Sequence, residues 1–500
     1  MNRKVTTVIF SIMLLLLITA RGIHANSLKL DVKEHVFKNG LTLLMLEKHE
    51  VPIVATRIYF RVGSVNERPG ITGVSHLFEH MMFKGTQLFG TRDYAAEKPL
   101  LEKEEELAVK ISEETKKGEH ADKEKVASLE NELGEVRKKL RDLVVKDEYF
   151  SLYTRHGAAG LNAATSSDGT YYICNLPANK LELWAFMESD RMKNLVLREF
   201  YSERDVVMEE RRLRTENSPF GALIEQLNAI TFIAHPYRWP TIGWKSDVQF
   251  ITKEETREYF QKYYAPNNAI IVMVGDFYRN EAIHLIEKYF GDIPGQAAPP
   301  DVKTLEPEQM GERRIEVEFD SNPYIAISYH TPGIGHADLY ALDVLSSILS
   351  DGRTSRLYTS LIEDKRIAVM AQAGIGIGKY PETFTFYAIP RAPHTVSEVE
   401  AAFYEEVEKL KKEPPSDWEL QKIKNQIEAS FIRKLNSVSG LASEIGYYEL
   451  LSDWRYINTY QEKVAQVTAN DVVGVANKYL KKKNRTVALL VKKEIEEVAQ

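Results

Sequence analysis

The sequence predicts an α+β protein composed of two related domains. Its 500 residues exceed what a single hydrophobic core usually takes, so two or more domains are expected. An internal repeat indicates that two of them are related, because the segment from Ile251, ITKEETREYFQKYYAPNNAIIVMVGD, aligns without gaps with the segment from Val467, VTANDVVGVANKYLKKKNRTVALLVKK. Each copy is typical of a helix, a turn and a buried strand, and such self-similarity indicates duplicated units.

We predict a first domain over residues 28–294, a linker over residues 295–312 and a second domain over residues 313–500. Glycine, proline and polar residues dominate residues 291–312, which is typical of a connecting segment. The second domain opens with the strand patterns RRIEVEF and YIAISYH and continues with helices, two more strands and long helical patterns.

Residues 1–25 have the pattern of a secretory signal peptide. Arg3 and Lys4 precede a mostly apolar run over residues 5–20, and the small residue Ala25 offers a cleavage site. The alternative is an uncleaved membrane anchor, although this run is shorter than the ~20 residues that a spanning helix needs. The single cysteine, Cys174, allows no intramolecular disulfide. We therefore expect an exported protein, located in the bacterial periplasm.

The charge balance argues against nucleic acid as a partner. The chain has 65 Lys and Arg against 72 Asp and Glu, which gives a formal net charge of −7. Its hydrophobic fraction of 44% and charged fraction of 27% are those of an ordinary soluble globular protein.

The first domain opens with two strands, predicted from alternating apolar residues over 41–46 and 53–60 and from the turn signal Asn39-Gly40. The next stretch, GVSHLFEHMMFKGT, contains His76, Glu79 and His80 in the order H-x-x-E-H.

On a helix the two histidines of H-x-x-E-H lie one turn apart on one face, where they can bind one Zn²⁺. Glu79 lies on the same turn, close enough to hold a water beside the metal, and this order of residues is a metalloprotease signature. The alternative is a pair of surface histidines beside a charge. The apolar residues around the motif favour a buried helix, in which two imidazoles and a carboxylate need partners. These residues are Leu77, Phe78, Met81, Met82 and Phe83.

Residues 97–148 predict a helical hairpin that projects from the domain. The segment is dense in Glu and Lys, its apolar residues recur at intervals of three and four, and residues 116–119 break the pattern. A solvated helix pair without function and a docking element remain equal alternatives. Residues 157–177 then predict a strand or hairpin, and residues 178–194 predict a helix with an apolar face.

The helical stretch FYSERDVVMEERRLRTEN contains Glu203 and Glu210, seven residues apart and therefore on one face. Glu210 is a candidate third metal ligand. The alternative is a charged surface helix with ion pairs along its length.

The motifs HLFEHMMFKGT, NAATSSDGTYY and ERDVVMEERRLRTENSP, followed by a second domain of the same class without H-x-x-E-H, resemble the pitrilysin–insulysin–mitochondrial processing peptidase family. The chain looks most like bacterial members that are roughly half the size of insulysin. The resemblance covers nearly all of the chain after the signal. It implies two homologous domains, each a mostly antiparallel sheet packed with helices, which together form half of a clam-shaped peptidase chamber.

The resemblance also implies one Zn²⁺ per chain, held by His76, His80 and Glu210. Glu79 would be the general base, and Glu203 would orient a histidine or tune the zinc from outside the ligand set. Glu209 is the neighbour that could be confused with Glu210, but the spacing from Glu203 favours Glu210.

The family's N-A-x-T strand matches residues 162–165, which the resemblance places at the edge of the active site. Asn162 and Ala163 would pair there with an extended substrate by β-strand addition. The implied substrate is an unfolded peptide or protein segment, and the implied reaction is hydrolysis of its peptide bonds.

Two features depart from the family pattern. The hairpin of residues 97–148 looks like an insertion, and the R-x6-Y pair of the second domain is absent, since Ile362 and Val369 stand at its positions and Arg366 is out of register. The chain therefore looks like the catalytic subunit of a heterodimer, whose homologous partner would supply the pair and lack the zinc motif. A homodimer is also possible. The alternatives from other classes are a non-catalytic scaffold subunit and a peptide-binding chamber in which zinc serves only the fold.

Overall fold

The computed structural model describes residues 29–492. The predicted signal peptide lies outside the described residues. Within them, no helix combines the length and the apolar character that crossing a membrane requires.

The first sheet has six strands in the order β1-β2-β6-β3-β5-β4. Neighbouring strands are antiparallel except for β2 and β6, which run parallel. The predicted Asn39-Gly40 turn joins β1 to β2, and Gly40 has φ 87°, a left-handed conformation that favours glycine. The strands are β1 (Lys33–Val36), β2 (Thr42–Glu47), β3 (Ile53–Phe60), β4 (Ala159–Thr165), β5 (Thr170–Pro177) and β6 (Ala269–Gly275).

The second sheet has five strands in the order β7-β11-β8-β10-β9, and only β7 and β11 are parallel. The order and relative direction of these five strands match those of β2-β6-β3-β5-β4 in the first sheet. The predicted pair of related α+β units with mostly antiparallel sheets is therefore confirmed. The strands are β7 (Arg313–Phe319), β8 (Tyr324–Thr331), β9 (Ala368–Ile375), β10 (Glu382–Pro390) and β11 (Arg485–Lys492).

Ten helices among the described residues precede the second sheet. They are α1 (Val74–Met81), α2 (Tyr94–Thr115), α3 (Lys123–Leu143), α4 (Glu148–Arg155), α5 (Leu181–Asn194), α6 (Phe200–Arg211), α7 (Pro219–Thr231), α8 (Lys245–Phe250), α9 (Lys253–Tyr263) and α10 (Arg279–Phe290). A π-helical turn, Arg212–Glu216, extends α6. Residues 295–312, the predicted linker, contain no helix or strand.

Six further helices follow in the described second half of the chain, and all but α14 pack on the second sheet or next to it. They are α11 (Asp338–Ser350), α12 (Val396–Lys412), α13 (Asp417–Leu435), α14 (Val438–Leu451), α15 (Tyr456–Gln466) and α16 (Ala469–Tyr479), with a π-helical segment at Tyr358–Asp364.

Residues that are aligned in the sequence repeat have the same structural roles. Thr252 caps the N-terminus of α9, and its counterpart Thr468 caps that of α16, each within a capping box. The amide of Asn268 donates to the Tyr263 carbonyl oxygen at 2.8 Å, and that of Asn484 donates to the Tyr479 carbonyl oxygen at 2.9 Å. The repeat therefore extends to individual hydrogen bonds.

The first sheet is buried on both faces. One face packs on α1, α5, α9 and α10, with Ile58 directed into this core. The next residue, Tyr59, points to the opposite face, which is covered by α14 from the second half of the chain. There Tyr59 donates to the Ser443 carbonyl oxygen at 3.0 Å, and Gly446 leaves room for its ring. The second half thus covers the face of the first sheet opposite the H-x-x-E-H helix.

The exchange is mutual, because α7 from the first half covers part of the second sheet. Leu223 and Leu227 are buried against β8 and β11. Both exchanged helices begin with the pattern N-S-x-x-G, in which Ser218 or Ser437 caps the helix by accepting from the glycine N–H. Each half of the chain therefore contributes one helix to the core of the other.

The predicted hairpin of residues 97–148 is formed by α2 and α3, which pack through an apolar seam. Its tip, residues 115–120, is exposed, whereas its base is anchored. Glu97 is fully buried there and accepts from Arg198 Nε at 2.6 Å. Three helices were not predicted: α4, α7 and α8. Of these, α8 has six residues, too few to give a periodic signal.

Candidate metal centre

The motif H-x-x-E-H lies on α1, a buried helix that is held at both ends. At its N-terminus, the Glu67 carboxylate accepts from the backbone N–H groups of Gly73 and Ser75, each at 2.8 Å. Gly73 has φ 90°, and a Cβ there would lie 2.6 Å from the Ile242 carbonyl oxygen, so both conformation and space require glycine. Burial raises the pKa of Glu67 to about 8.

The C-terminus of α1 is held by Arg191, a fully buried residue of α5. Its guanidinium donates to the Met82 carbonyl oxygen at 2.9 Å and to Glu188 at 3.1 Å. The hydroxyls of Tyr149 and Tyr153 also donate to Glu188, at 2.7 and 2.6 Å. This buried charge is therefore fully paired, and the zinc-motif helix is fixed to the layer behind it.

The structure brings His76, His80 and Glu210 together. Glu210 Oε2, on α6, lies 3.7 Å from His76 Nε2 and 3.5 Å from His80 Nε2. These three residues can each offer a ligand atom within 4.8 Å of the others, and among the residues that the structure describes they form the one such group found. The alternative of separate surface histidines does not hold, because His76 is buried and His80 half-buried.

This arrangement fits Zn²⁺. Two imidazole nitrogens and a carboxylate oxygen are the donors of catalytic zinc sites, which keep a fourth position open. Tetrahedral zinc, with bonds of about 2.0–2.1 Å, separates two ligand atoms by roughly 3.3 Å. The spacings of 3.5 and 3.7 Å to Glu210 are too long for good hydrogen bonds and close to this value.

Glu203 lies behind His80 and not among the three converging groups. Its Oε2 is 3.3 Å from His80 Nδ1, and its other oxygen contacts Lys84. With a proton on Nδ1, His80 donates to Glu203 and leaves Nε2 for a metal, which is the usual arrangement around a zinc-bound histidine. Burial alone would raise the pKa of Glu203, but the hydrogen bonds from His80 and Lys84 lower it. Glu203 is therefore an anion that orients His80.

The two histidines differ in their protonation. Burial and the neighbouring His80 lower the pKa of His76 to about 4. Burial also acts to lower the pKa of His80, but the neighbouring carboxylates of Glu203 and Glu210 outweigh it and raise this pKa to about 9. His76 is thus neutral at pH 7, as a metal ligand must be, whereas His80 must give up a proton when a metal binds.

Glu79 is set apart from the three converging groups and faces β4. Its Oε2 accepts from the Thr165 hydroxyl at 2.7 Å, at the end of that strand. Burial raises the pKa of Glu79, although the Thr165 hydrogen bond opposes the change. A carboxylate with a raised pKa and a free oxygen suits proton transfer near neutral pH.

Strand β4 is the edge strand of the first sheet, beside α1. Asn162 is exposed and Ala163 buried, and both pair with β5 on one side only. In the part of the chain that the structure describes, no strand pairs with the other side of β4. This open edge is geometrically able to accept an extended peptide.

Glu209, the neighbour of Glu210, points away from the site. It is exposed, and its carboxylate accepts from Arg212 Nε at 2.8 Å. Arg214, in the π-helical turn after α6, lies 2.8 Å from the second oxygen of Glu210. Sequence reasoning missed Arg214, Lys84 and Glu67, since no local pattern marks them. It could have found Thr165, the last residue of N-A-x-T.

Of the two positions equivalent to the R-x6-Y pair, Ile362 lies in the π-helical segment Tyr358–Asp364 and Val369 near the start of β9, the counterpart of β4. Val369 is 52% exposed and Ile362 is partly buried, so neither offers a polar group to a peptide. Arg366 is exposed and has a positive φ of 54°.

Two family models match the chain. Residues 42–101 match the model described as Insulinase (Peptidase family M16), and residues 251–427 match the model described as Peptidase M16 inactive domain. The first match contains α1 and ends within α2, where the hairpin begins.

Relatives and solved structures agree with this assignment. The chain is 30% identical to the zinc protease PqqE of Helicobacter pylori over 95% of this chain and 96% of that protein. A crystal structure of a protease from Helicobacter pylori superposes with a TM-score of 0.78 and 28% identity, over 92% of this chain and 99% of that one. The periplasmic protease PqqL of Escherichia coli shares the fold, with a TM-score of 0.68 and 16% identity over 93% of this chain and 48% of that one. The chain belongs to the insulinase family, peptidase family M16.

Proposed function

We propose that this protein is a zinc-dependent endopeptidase that hydrolyses unfolded peptides or protein segments. The observation that carries the proposal is the convergence of His76, His80 and Glu210 beside Glu79. Membership in a peptidase family whose relatives are named zinc proteases supports it.

The proposed mechanism uses these residues in separate roles. His76, His80 and Glu210 would hold the zinc, which when bound would polarise the scissile carbonyl and lower the pKa of a water toward ~7. Glu79 takes the proton from the attacking water and passes it to the leaving amine. Thr165 holds one oxygen of Glu79 and leaves the other free for this transfer.

The substrate would bind as an extra strand on β4. Backbone groups of Asn162 and Ala163 would hold the peptide in an extended conformation, so recognition would depend on backbone more than on side chains. Strand addition needs a segment whose backbone N–H and C=O groups are not already paired, as in an unfolded segment, which explains the proposed substrate class.

We propose that the active form is a heterodimer in which a homologous subunit supplies the Arg/Tyr pair. The apolar residues Ile362 and Val369 at the equivalent positions support this reading. The match to 48% of the longer PqqL chain supports the idea that a chain of this length forms half of a peptidase chamber. The signal-peptide pattern supports the bacterial periplasm as its location.

The test is cleavage of an unstructured peptide by the mature, zinc-loaded chain, alone and together with each homologous subunit of the same organism, with wild type and Glu79→Gln side by side. We expect Glu79→Gln to retain zinc and to lose about 10²–10⁴-fold in kcat, the usual contribution of a general base. Equal cleavage by both variants would refute the role of Glu79.

The same experiment separates the alternatives. If the wild-type chain cleaves the peptide without any homologous subunit, a partner's Arg/Tyr pair is not needed. That outcome would favour a self-sufficient chain or a homodimer. Stoichiometric zinc without turnover, alone and with every homologous subunit of the same organism, would favour a scaffold or peptide-binding subunit.

A further inference from the structure

A cavity of about 360 Å³ lies between the inserted hairpin and the first domain. Helix α2 forms one wall, and α6 with the segment that joins α8 to α9 forms the other. The cavity is on the side of α6 away from the metal centre. It belongs neither to the H-x-x-E-H site nor to the open edge of β4.

One part of this cavity is apolar. Ala108, Val109 and Ile111 of α2 face Phe250 at the end of α8. Val109 is 43% exposed and Phe250 46% exposed, a costly arrangement for large apolar side chains on opposite walls of one groove. An apolar chain placed between them would remove both from water.

The inner end of the cavity is cationic. Lys253 is only 4% exposed, yet its ammonium makes no hydrogen bond or ion pair with another residue in the 29–492 range. Burial lowers the pKa of Lys253, although Glu104 and Glu105 oppose this change. Arg204 donates to the Ile251 carbonyl oxygen at 3.1 Å and likewise pairs with no described carboxylate.

Neighbouring carboxylates are already engaged. Glu105 pairs with Arg257 at 3.1 Å, and Glu104 Oε1 accepts from Arg137 at 3.0 Å. Only Glu104 Oε2 is buried without a hydrogen-bond partner. Among the described residues the cavity therefore has two cations without a direct carboxylate partner, the buried Lys253 and the half-buried Arg204. Burying a charged side chain without a partner is unfavourable, so an anion beside Lys253 would stabilise it.

We propose that this cavity binds a small amphiphilic carboxylate, whose charged group contacts Lys253 and Arg204 and whose apolar part lies between Val109 and Phe250. A medium-chain fatty acid and the free C-terminus of a peptide with an apolar last residue share this chemistry. Guanidinium and ammonium groups form strong, charge-assisted hydrogen bonds with carboxylates, while the apolar rim selects against small inorganic anions.

Helix α6 contributes residues both to this cavity and to the metal centre. Arg204 faces the cavity, whereas Glu203 and Glu210 of the same helix face the histidines. A ligand that fixes Arg204 would also fix α6, so binding should slow the loss of zinc to a chelator.

The experiment measures binding of octanoate to the full mature chain by calorimetry, in zinc-loaded and metal-free protein, so the readout does not depend on peptidase activity. The comparison ligands are octanol, which lacks the charged group, and acetate, which lacks the apolar tail. We expect octanoate to bind at least about 10-fold more tightly than either. Two peptides that end in leucine, one with a free and one with an amidated C-terminus, distinguish the peptide source from the fatty-acid source.

The variants are Lys253→Met and Arg204→Gln, with Lys110→Met as the control that removes an exposed lysine from the same helix hairpin. Each test variant should weaken octanoate binding at least about 10-fold, and the control should not. Phe250→Ser, which leaves the buried charges in place, should also weaken it if Lys253→Met fails to fold.

Unchanged octanoate binding in Lys253→Met and Arg204→Gln would overturn the proposal. A loss of stability in Lys253→Met without a loss of octanoate binding would mean that a water between Lys253 and Glu104 satisfies this lysine. Equal affinity for acetate and octanoate would also overturn it, since the apolar rim would then have no role.

Discussion

At the scale of single residues, the arrangement of Glu209 and Glu210 separates a candidate metal ligand from its neighbour. The two carboxylates are adjacent in sequence, but one faces the two histidines and the other pairs with Arg212 in solvent. We expect Glu210→Gln to lower zinc affinity by at least about 100-fold, more than the loss of a supporting contact costs. Glu209→Gln removes the same charge and should leave zinc affinity unchanged. Competition with a chelator measures both, and the opposite result would exchange the two assignments.

The convergence of the candidate site residues could be predicted because they occur at fixed spacings on helices. The three-residue and four-residue intervals of H-x-x-E-H and the seven-residue interval to Glu210 place side chains on one face, whatever the rest of the chain does. The residues that support them could not be predicted. Thr165 reaches Glu79 from 86 positions away, and Arg191 reaches Met82 across 109. Such contacts depend on how the sheet and its helices pack, and the spacing of residues along the sequence does not determine that packing.

At the scale of one element, the position of α1 depends on the ion pair of Arg191 and Glu188. Arg191→Met would remove the hydrogen bond to the Met82 carbonyl oxygen and leave Glu188 as a buried, uncompensated anion. Breaking a buried pair from one side typically costs about 3–5 kcal/mol of unfolding free energy. Denaturant unfolding of the metal-free protein would measure this loss.

The matched control for the Arg191 prediction is Arg455→Met, because Arg455 pairs with Glu34 and Asp453 at the surface. Exposed pairs contribute about 0–1 kcal/mol, so the free energy of unfolding should hardly change. If Arg191→Met were as stable as Arg455→Met, the anchoring role of Arg191 would be wrong.

The helices and strands themselves were largely predictable, since their apolar periodicity is strong. The hairpin of residues 97–148 shows the limit of that approach. Its repeat of apolar residues predicted two helices, and both are present. The same pattern could not reveal that Glu97 is buried against Arg198 or that a cavity lies along α2, because the partners are at positions 198, 204 and 250.

At the scale of the whole molecule, the exchange of α7 and α14 was not predicted from the sequence. The repeat between residues 251 and 467 predicted two related units, which the sheet topology confirms. A repeat, however, does not say which unit a helix packs on. The pattern N-S-x-x-G at the start of both helices could have identified them as equivalent elements of the repeat. It does not indicate that either helix packs on the opposite sheet.

The two halves also meet at a pair of hairpin turns. Asp168, in the turn between β4 and β5, accepts from the Tyr237 hydroxyl at 2.7 Å and from the backbone N–H of Lys379 at 3.0 Å. Glu382 begins β10 beside this contact. Burial raises the pKa of Asp168, and burial together with Asp168 raises the pKa of Glu382 to about 7. Two carboxyl groups thus lie where the strand that would bind substrate touches the second domain.

This contact should make the folded state less stable as the pH rises. The folded protein holds the Glu382 proton more tightly than the unfolded chain, whose carboxyl has a pKa near 4.5. The contribution to stability is therefore complete below pH 4.5 and disappears as the pH rises through about 7. Between pH 5 and pH 8 we expect the wild type to lose about 1–3 kcal/mol of unfolding free energy that Glu382→Gln does not lose, because the amide cannot ionise. Denaturant unfolding at both pH values measures the difference, with Glu413→Gln as the exposed control. If the wild type and Glu382→Gln lost the same amount, the proton on Glu382 would not contribute to the contact between the two halves.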